Sequence, residues 1–353
     1  MDEIHSSMEK PPPQSRAKAR VKDIAAKCAL ALASLVIGLV LCEFGLRLIY
    51  PITVMNMEVQ GPAKDGDSFY TADRTIGLRP ILGTSLYDDN GVLVGRSVVS
   101  KSTEPRKVLF IGDSVTARAA IVSELAKQGG SGTTSYLNGG VEGYNIQQEV
   151  DFFLRYQTGI RPQIIVHQWH INDLRSSRWL MRGSDGRVRI YSHKSQPEDE
   201  VDQWLYQNSQ LYRFWIANFR SRFSSDELHA AAVDALRRMR AYTREHGIAY
   251  HAILFPVMEP LSKWPQYDKR AHADLLKFAR DLEIPIVDLT PVSERLIAAG
   301  IDPQERPGDT SHPNQAFGKE AAQYMRQHIP ALGAEGEATA SAPSRGAAYG
   351  RPQ

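Results

Sequence analysis

Four short segments of this 353-residue chain carry side chains that could do chemistry together. The first is Gly112-Asp113-Ser114, followed by Val115 and Thr116. The second is Asn138-Gly139-Gly140-Val141-Glu142-Gly143-Tyr144-Asn145. The third is Trp169-His170-Ile171-Asn172-Asp173, and the last is Asp309-Thr310-Ser311-His312-Pro313-Asn314. Between them they supply a hydroxyl, a glycine backbone donor, an amide side-chain donor and an Asp/His pair. Acyl transfer needs those parts: a nucleophile, a base, a group that orients the base, and donors for an oxyanion. A serine placed directly after a strand and at the start of a helix is well sited for this. Neighbouring backbone N–H groups and the helix N-terminus can then stabilise developing negative charge.

Each segment also has a plainer reading. Asp and Ser before a helix are ordinary caps. Asn172-Asp173 is a common turn pair, and His312 before Pro313 could simply open the last helix. His167 and His170 suggest a metal pair, but i,i+3 spacing on an extended segment turns them to opposite faces, and no second ligand pair accompanies them. Trp169 and Trp264 are either sugar-stacking platforms or core aromatics. The run Arg237-Arg238-Met239-Arg240 reads as a solvated helix face. What favours chemistry is the set of four segments, in order.

In that order the segments resemble the four blocks of the SGNH subfamily of GDSL hydrolases, over about residues 75–330. The blocks correspond to Ser114, Gly143, Asn172 and His312. The resemblance is to the membrane-anchored bacterial branch, with Glu43-Phe-Gly-Leu-Arg47 at the end of the anchor and Gly77-Leu-Arg-Pro80 upstream of the nucleophile. It implies a catalytic triad of Ser114, His312 and Asp309. It also implies an oxyanion hole from the Ser114 and Gly143 N–H groups and the Asn172 side chain, with Asp113, His170 and Asp173 in support. No cofactor and no metal are implied. One departure stands out: His170 occupies the place where the third block usually has Gly. It could narrow the pocket or add a second imidazole there.

The elements that must position these residues alternate between strand and helix. Lys107–Ile111, Tyr136–Asn138, Gln163–Val166, Tyr250–Phe255 and Ile284–Leu289 read as short apolar strands. Val115–Lys127, Ile146–Tyr156, Glu227–His246, Tyr267–Leu282 and Asn314–His328 read as amphipathic helices. Such alternation predicts a three-layer α/β/α domain with a parallel sheet, and the resemblance makes it the flavodoxin-like SGNH fold. Reactive groups in such sheets gather beyond the carboxyl ends of the strands. Short β-type runs, Val92–Val94 and Val98–Val99, lie among turns in an N-terminal extension. A polar, Trp/Tyr/Arg-containing insertion at 175–225 could be a lid.

Composition narrows the class further. A hydrophobic fraction of 42% and a charged fraction of 23% are those of a packed globular protein. The 42 Lys+Arg nearly balance 40 Asp+Glu, so no basic field is available to grip nucleic acid. The two cysteines, Cys28 and Cys42, bound one apolar stretch near the N-terminus, which excludes a disulfide framework or a cysteine zinc site in the body.

That stretch has 15 residues without charge, counting both cysteines. Extended over 24–49 it gives roughly 39 Å of helix, enough to span a bilayer, with Lys27 snorkelling and Glu43 and Arg47 paired at i,i+4. No A-x-A-like cleavage site follows it, and Leu41 stands where a lipobox would place a small residue before Cys42. An uncleaved single-pass anchor fits best. Arg16, Lys18, Arg20, Lys22 and Lys27 precede it, which keeps the N-terminus in the cytoplasm and exports the rest. The expected organisation is a cytoplasmic tail (1–23), an anchor (24–49), an extension (50–104), a hydrolase domain (105–332) and a polar, disordered tail (333–353).

The expected protein is a serine esterase on the outer face of a bacterial inner membrane. It would remove O-acyl groups, acetyl foremost, from an extracytoplasmic glycan or other envelope component. Two rivals remain. One is an O-acyltransferase using the same triad, with a membrane-bound partner delivering acyl groups. The other is a non-catalytic envelope or glycan-binding protein that kept the fold.

Overall fold

The computed structural model describes residues 13–49, 69–73, 75–118, 120–128, 132–174, 178–182, 188–192, 201, 204–205, 208–215 and 225–333. The expected tail beyond 333 and much of the 175–225 insertion lie outside them. The chain divides into two compact units.

The smaller unit takes in residues 1–56 and 197–222. It contains a long helix, Pro13–Ile49, and a short one, Gln210–Trp215. Proline is tolerated in the first turn of a helix, where its missing N–H has no partner to lose. The stretch Lys22–Ile49 is 28 residues, its most apolar 18-residue window has a mean hydropathy of 2.4, and it is long and apolar enough to cross a membrane. Its large apolar side chains stand exposed, from Ile24 to Ile49.

The larger unit is an α/β/α domain. Nine strands are described in the chain: β1 (Tyr70–Asp73), β2 (Gly77–Pro80), β3 (Arg106–Ile111), β4 (Thr134–Asn138), β5 (Ile164–Trp169), β6 (Arg178–Arg182), β7 (Val188–Ser192), β8 (Ala249–Leu254) and β9 (Ile286–Asp288). Five of them form one parallel sheet in the spatial order β4-β3-β5-β8-β9. Numbered along the chain within that sheet, the order is 2-1-3-4-5, the flavodoxin-like arrangement, whose direction of winding reverses between β3 and β5.

Parallel strands are covered on both faces, so both sets of alternating side chains must be apolar. In β3, Val108 and Phe110 enter one core with Phe317, Ala321 and Met325 of the Gln315–His328 helix. Leu109 and Ile111 enter the other, with Ile146 and Val150 of the Ile146–Phe152 helix, Leu236 and Met239 of Ser225–Glu245, and Leu275 of Gln266–Asp281. Burying each such side chain contributes on the order of 1.5–3 kcal/mol.

The differences from the sequence expectation have local causes. The helix expected over 115–127 is two helices, Ser114–Ala117 and Ala120–Gln128. Arg118 closes the first after one turn, its N–H bonded to Ser114 and Thr116 carbonyls. The helix expected through Tyr156 is α-helical only to Phe152, then widens into a π-type turn and tightens into a 3₁₀ turn ending at left-handed Arg161. Val92–Val94 and Val98–Val99 make no strands; Leu93 and Val98 form single bridges to Tyr87 and Tyr136. The Gly77-Leu-Arg-Pro80 segment is β2, half of the antiparallel β1–β2 hairpin. Leu78 and Ile76 pack with Tyr87, Tyr144 and Phe152 in a third core. The helix Thr290–Ala298 and the β6–β7 hairpin had no clear sequence signal.

Candidate active site

Ser114 begins the turn of helix that leaves the carboxyl end of β3. Gly112 between them is required by crowding: a Cβ there would stand 2.4 Å from Thr116 Oγ1 and 2.5 Å from Gln168 Oε1. Asp113 is buried, and its Oδ1 accepts the Val115 N–H at 2.8 Å, capping the helix. The plain cap reading of Gly-Asp-Ser is therefore correct for Asp113, and it leaves the Ser114 hydroxyl free to face elsewhere.

That hydroxyl lies 2.9 Å from His312 Nε2, across 198 residues of sequence. His312 Nδ1 is 3.0 Å from both carboxylate oxygens of Asp309. The Asp309 Oδ1 also accepts the backbone N–H groups of Ser311 and His312, at 3.2 and 3.1 Å. Burial alone would raise the Asp309 carboxyl. The hydrogen bonds from His312 and from the two backbone N–H groups outweigh it and hold the group below the ordinary carboxylate range. An ionised Asp309 fixes the proton on Nδ1 and leaves Nε2 with its lone pair toward Ser114.

The loop carrying this pair is braced at several points. The Gln304 side chain donates to Met258 O and accepts from Gly308 N, while Met258 N donates to Thr310 O. Glu305 N donates to His312 O, and Asn314 caps the Gln315–His328 helix by accepting from Phe317 N. The position of His312 is thus set from the end of β8 and from the helix that follows.

The third segment turns directly off β5. Asp173 Oδ2 accepts the His170 N–H at 2.5 Å, closing a tight turn. This brings Asn172 beside the strand that leads to Ser114, where its Nδ2 donates to Asp113 Oδ2 at 3.1 Å. The second segment returns to β3 through Gly139 N–Phe110 O and Val141 N–Gly112 O bonds of 2.7 and 2.9 Å. Gly143 follows with φ +78°, in the left-handed region that a side chain disfavours.

His170 is buried at 2% exposure, with its Nδ1 accepting the Asn172 N–H at 3.4 Å. The extra imidazole is part of the turn's interior. Trp169 and Trp264 are core residues, at 0% and 3% exposure. His167 points into the same core as Trp169, where Nε2 meets Glu149 Oε2 at 2.8 Å and Nδ1 meets Tyr250 Oη at 2.7 Å. Burial drives the imidazole down to about 3 and the Glu149 carboxyl well above its usual value, with Asp173 and Asp113 adding to the latter. The pair is neutral: the Glu149 carboxyl donates to Nε2, and Nδ1–H donates to Tyr250.

Two supports were not legible as such. Buried Asn138, at the end of β4, donates through Nδ2 to Thr116 O at 2.8 Å and accepts Gly140 N at 3.0 Å, so one amide ties the Ser114 turn to the glycine loop. Arg118 pairs with Glu305, joining the Ser114 segment to the His312 loop. Their separation of 187 residues carries no pattern that sequence reading could detect.

Glu305, Asp309 and His312 together offer three atoms within 4.8 Å of one another. Asp309 and His312 already satisfy each other there, and Glu305 is held by Arg118.

No protein-family model and no curated protein matches this sequence. Among solved structures, the chain is similar to Axe2, an acetylxylan esterase from Geobacillus stearothermophilus, at 15% identity and a TM-score of 0.42, over 67% of this chain and 97% of that one. It is also similar to LAE5, an α/β hydrolase from the metagenome of Lake Arreo, Spain, at 16% identity and a TM-score of 0.43, over 66% and 97%. A third is the acetyl xylan esterase AlAXEase, at 14% identity and a TM-score of 0.42, over 63% and 99%.

Proposed function

We propose that this chain is a membrane-anchored serine esterase of the SGNH type, acting on O-acyl groups of an extracytoplasmic glycan or envelope component. The observation that carries the reading is the unbroken line of hydrogen bonds from Ser114 through His312 to Asp309. It lies beyond the carboxyl end of β3, beside the switch point of the sheet, where open α/β folds bind their ligands.

In this reading Ser114 Oγ attacks the ester carbonyl as His312 Nε2 takes its proton. Asp309 stabilises the imidazolium that forms. The negative oxygen of the tetrahedral intermediate is met by the Ser114 and Gly143 N–H groups and by Asn172 Nδ2. One amide proton of Asn172 is engaged by Asp113, which aims the other. His312 then returns the proton to the leaving alcohol, and water repeats the cycle on the acyl-enzyme. Nothing in this scheme calls for a metal or cofactor.

The membrane part is supported by the Lys22–Ile49 helix and by the basic residues that precede it. The choice of acetyl and of a glycan rests on the SGNH resemblance and on an exported topology, so both are the finer part of the proposal. Transfer to a sugar hydroxyl instead of water would use the same acyl-enzyme.

The test uses the full chain in detergent against p-nitrophenyl acetate and butyrate, beside Ser114→Ala. Turnover by the parent that drops by at least ~10³-fold in the variant supports the serine esterase. Equal turnover by both contradicts it.

A further inference from the structure

The outer end of the long helix makes contacts that the chemistry of the site does not use. Glu43 Oε2 accepts from Ser209 Oγ at 2.9 Å and from Leu211 N at 2.8 Å. Its Oε1 accepts from Gln210 N at 2.9 Å and from Arg47 Nε at 2.8 Å. Arg47 Nη2 in turn donates to Asn208 O at 2.8 Å. Two charged side chains one turn apart therefore hold the segment 208–211 of the distant insertion against the end of the apolar helix. All of these residues belong to the smaller unit.

The depth of this clamp can be estimated. No charged residue lies between Lys27 and Glu43. With Lys27 snorkelling, the twenty residues Ile24–Glu43 make roughly 30 Å of helix, the thickness of a hydrocarbon layer of about 30 Å. Glu43 thus falls where a spanning helix leaves hydrocarbon and enters the headgroup layer. The segment it holds is rich in the residues of that layer. Trp204 is 59% exposed and Trp215 45%, and the Tyr212 and Trp215 rings lie 5.7 Å apart. On the helix beside them, Phe44, Leu48 and Ile49 are also exposed. In water such a surface would be costly, whereas Trp and Tyr favour the membrane–water boundary, where one edge of the ring is dry and the other wet.

We infer that residues 201–215 form an interfacial foot: Trp204 and Trp215 insert into the headgroup layer of the bilayer that the 22–49 helix spans, and Glu43 and Arg47 fix the foot at that depth. The occupant of this surface is lipid, argued from its continuity with the spanning helix. The inference rests on the anchor reading.

The experiment places the full chain in phosphatidylcholine vesicles whose acyl chains are plain or brominated near the headgroup, and reads tryptophan emission. With Trp179 replaced by Phe in every sample, Trp169 and Trp264, buried in the larger unit, serve as the unquenched background. Emission of the parent should fall on the brominated lipid, and the fall should shrink about twofold or more in the Trp204→Phe/Trp215→Phe pair. Glu43→Ala should also reduce it. Unchanged ester turnover of the Phe pair in detergent would show that the fold is intact. Equal emission in both vesicles, from a protein that resists alkaline carbonate extraction, overturns the foot while leaving the anchor in place. Shielding of the two tryptophans from aqueous acrylamide without lipid quenching assigns the surface to a protein partner and also overturns it. Release by carbonate overturns the anchor reading, and the foot with it.

Discussion

Buried Asp113 accepts a hydrogen bond from Asn172 Nδ2 at 3.1 Å, so the residue before the proposed nucleophile holds the amide proposed to meet the oxyanion. Its other oxygen caps the helix through Val115 N. One carboxylate therefore sets two distances at once: where Ser114 starts its helix, and where Asn172 points. Removal of a single oxyanion donor costs about 10²–10³ in kcat. Asn172→Ala should fall in that range with little change in KM. Asp113→Ala should lose a comparable part of it, and should add little in the Asn172→Ala background, because both act through one amide. Additive losses in steady-state kinetics would separate Asp113 from Asn172.

In the proposed triad Asp309 acts through His312. In Asp309→Asn the side chain can no longer accept at both oxygens, and an amide facing Nδ1 favours the wrong tautomer. A loss of about 10³–10⁴ in kcat is expected, as for triads in general, with the thermal midpoint changed by only a few degrees. A variant that keeps near-full kcat would show that His312 is oriented by the braced loop alone.

The Arg118–Glu305 pair links the two arms of the site and is about one-third exposed on each side. Exposed pairs contribute about 0.2–1 kcal/mol, so each single alanine variant should lower kcat by no more than about fivefold. The double variant should be no worse than either single, and the loss should shrink at high salt. A double-mutant cycle with zero coupling would make the pair incidental.

The neutral Glu149–His167 pair predicts how stability follows pH. His167 is lowered from 6.5 to about 3 in the fold, so its contribution is fully present above pH 6.5 and is lost as pH falls from there toward 3. The slope should approach about 1.4 kcal/mol per pH unit for one proton. Glu149 has the opposite sign. Its folded value is raised above 4.5, so its contribution is greatest below pH 4.5 and declines as pH rises through the folded value. Glu149→Gln keeps a neutral donor toward His167 Nε2 and removes that decline. Denaturation midpoints should therefore favour the Gln variant increasingly as pH rises above 4.5. A difference independent of pH would mean that the pair is ionised in the fold.

How far the sequence could be read depended on the range of the interaction. The five sheet strands were legible because both faces of each are buried, which makes them short apolar runs. The residues of the Ser114–His312–Asp309 line were legible through block order, although nothing local to Ser114 distinguishes a nucleophile from a cap. The break at Arg118 was not legible, since a helical pattern continues across it. The role of His170 was also hidden: spacing could not tell a second imidazole in the pocket from one folded under the Asn172 turn. The Glu43 contacts depend on a segment some 166 residues away, and the i,i+4 pair with Arg47 was the only part visible in the sequence.

The most direct test of the account is whether Ser114 is the activated nucleophile. The full chain would be treated with a fluorophosphonate probe and the adduct located by peptide mass spectrometry, in parallel with His312→Ala. A single adduct on Ser114, formed at least ~10³-fold more slowly in His312→Ala, is the result this account predicts. Labelling at another residue, or no labelling of a folded protein, would contradict it.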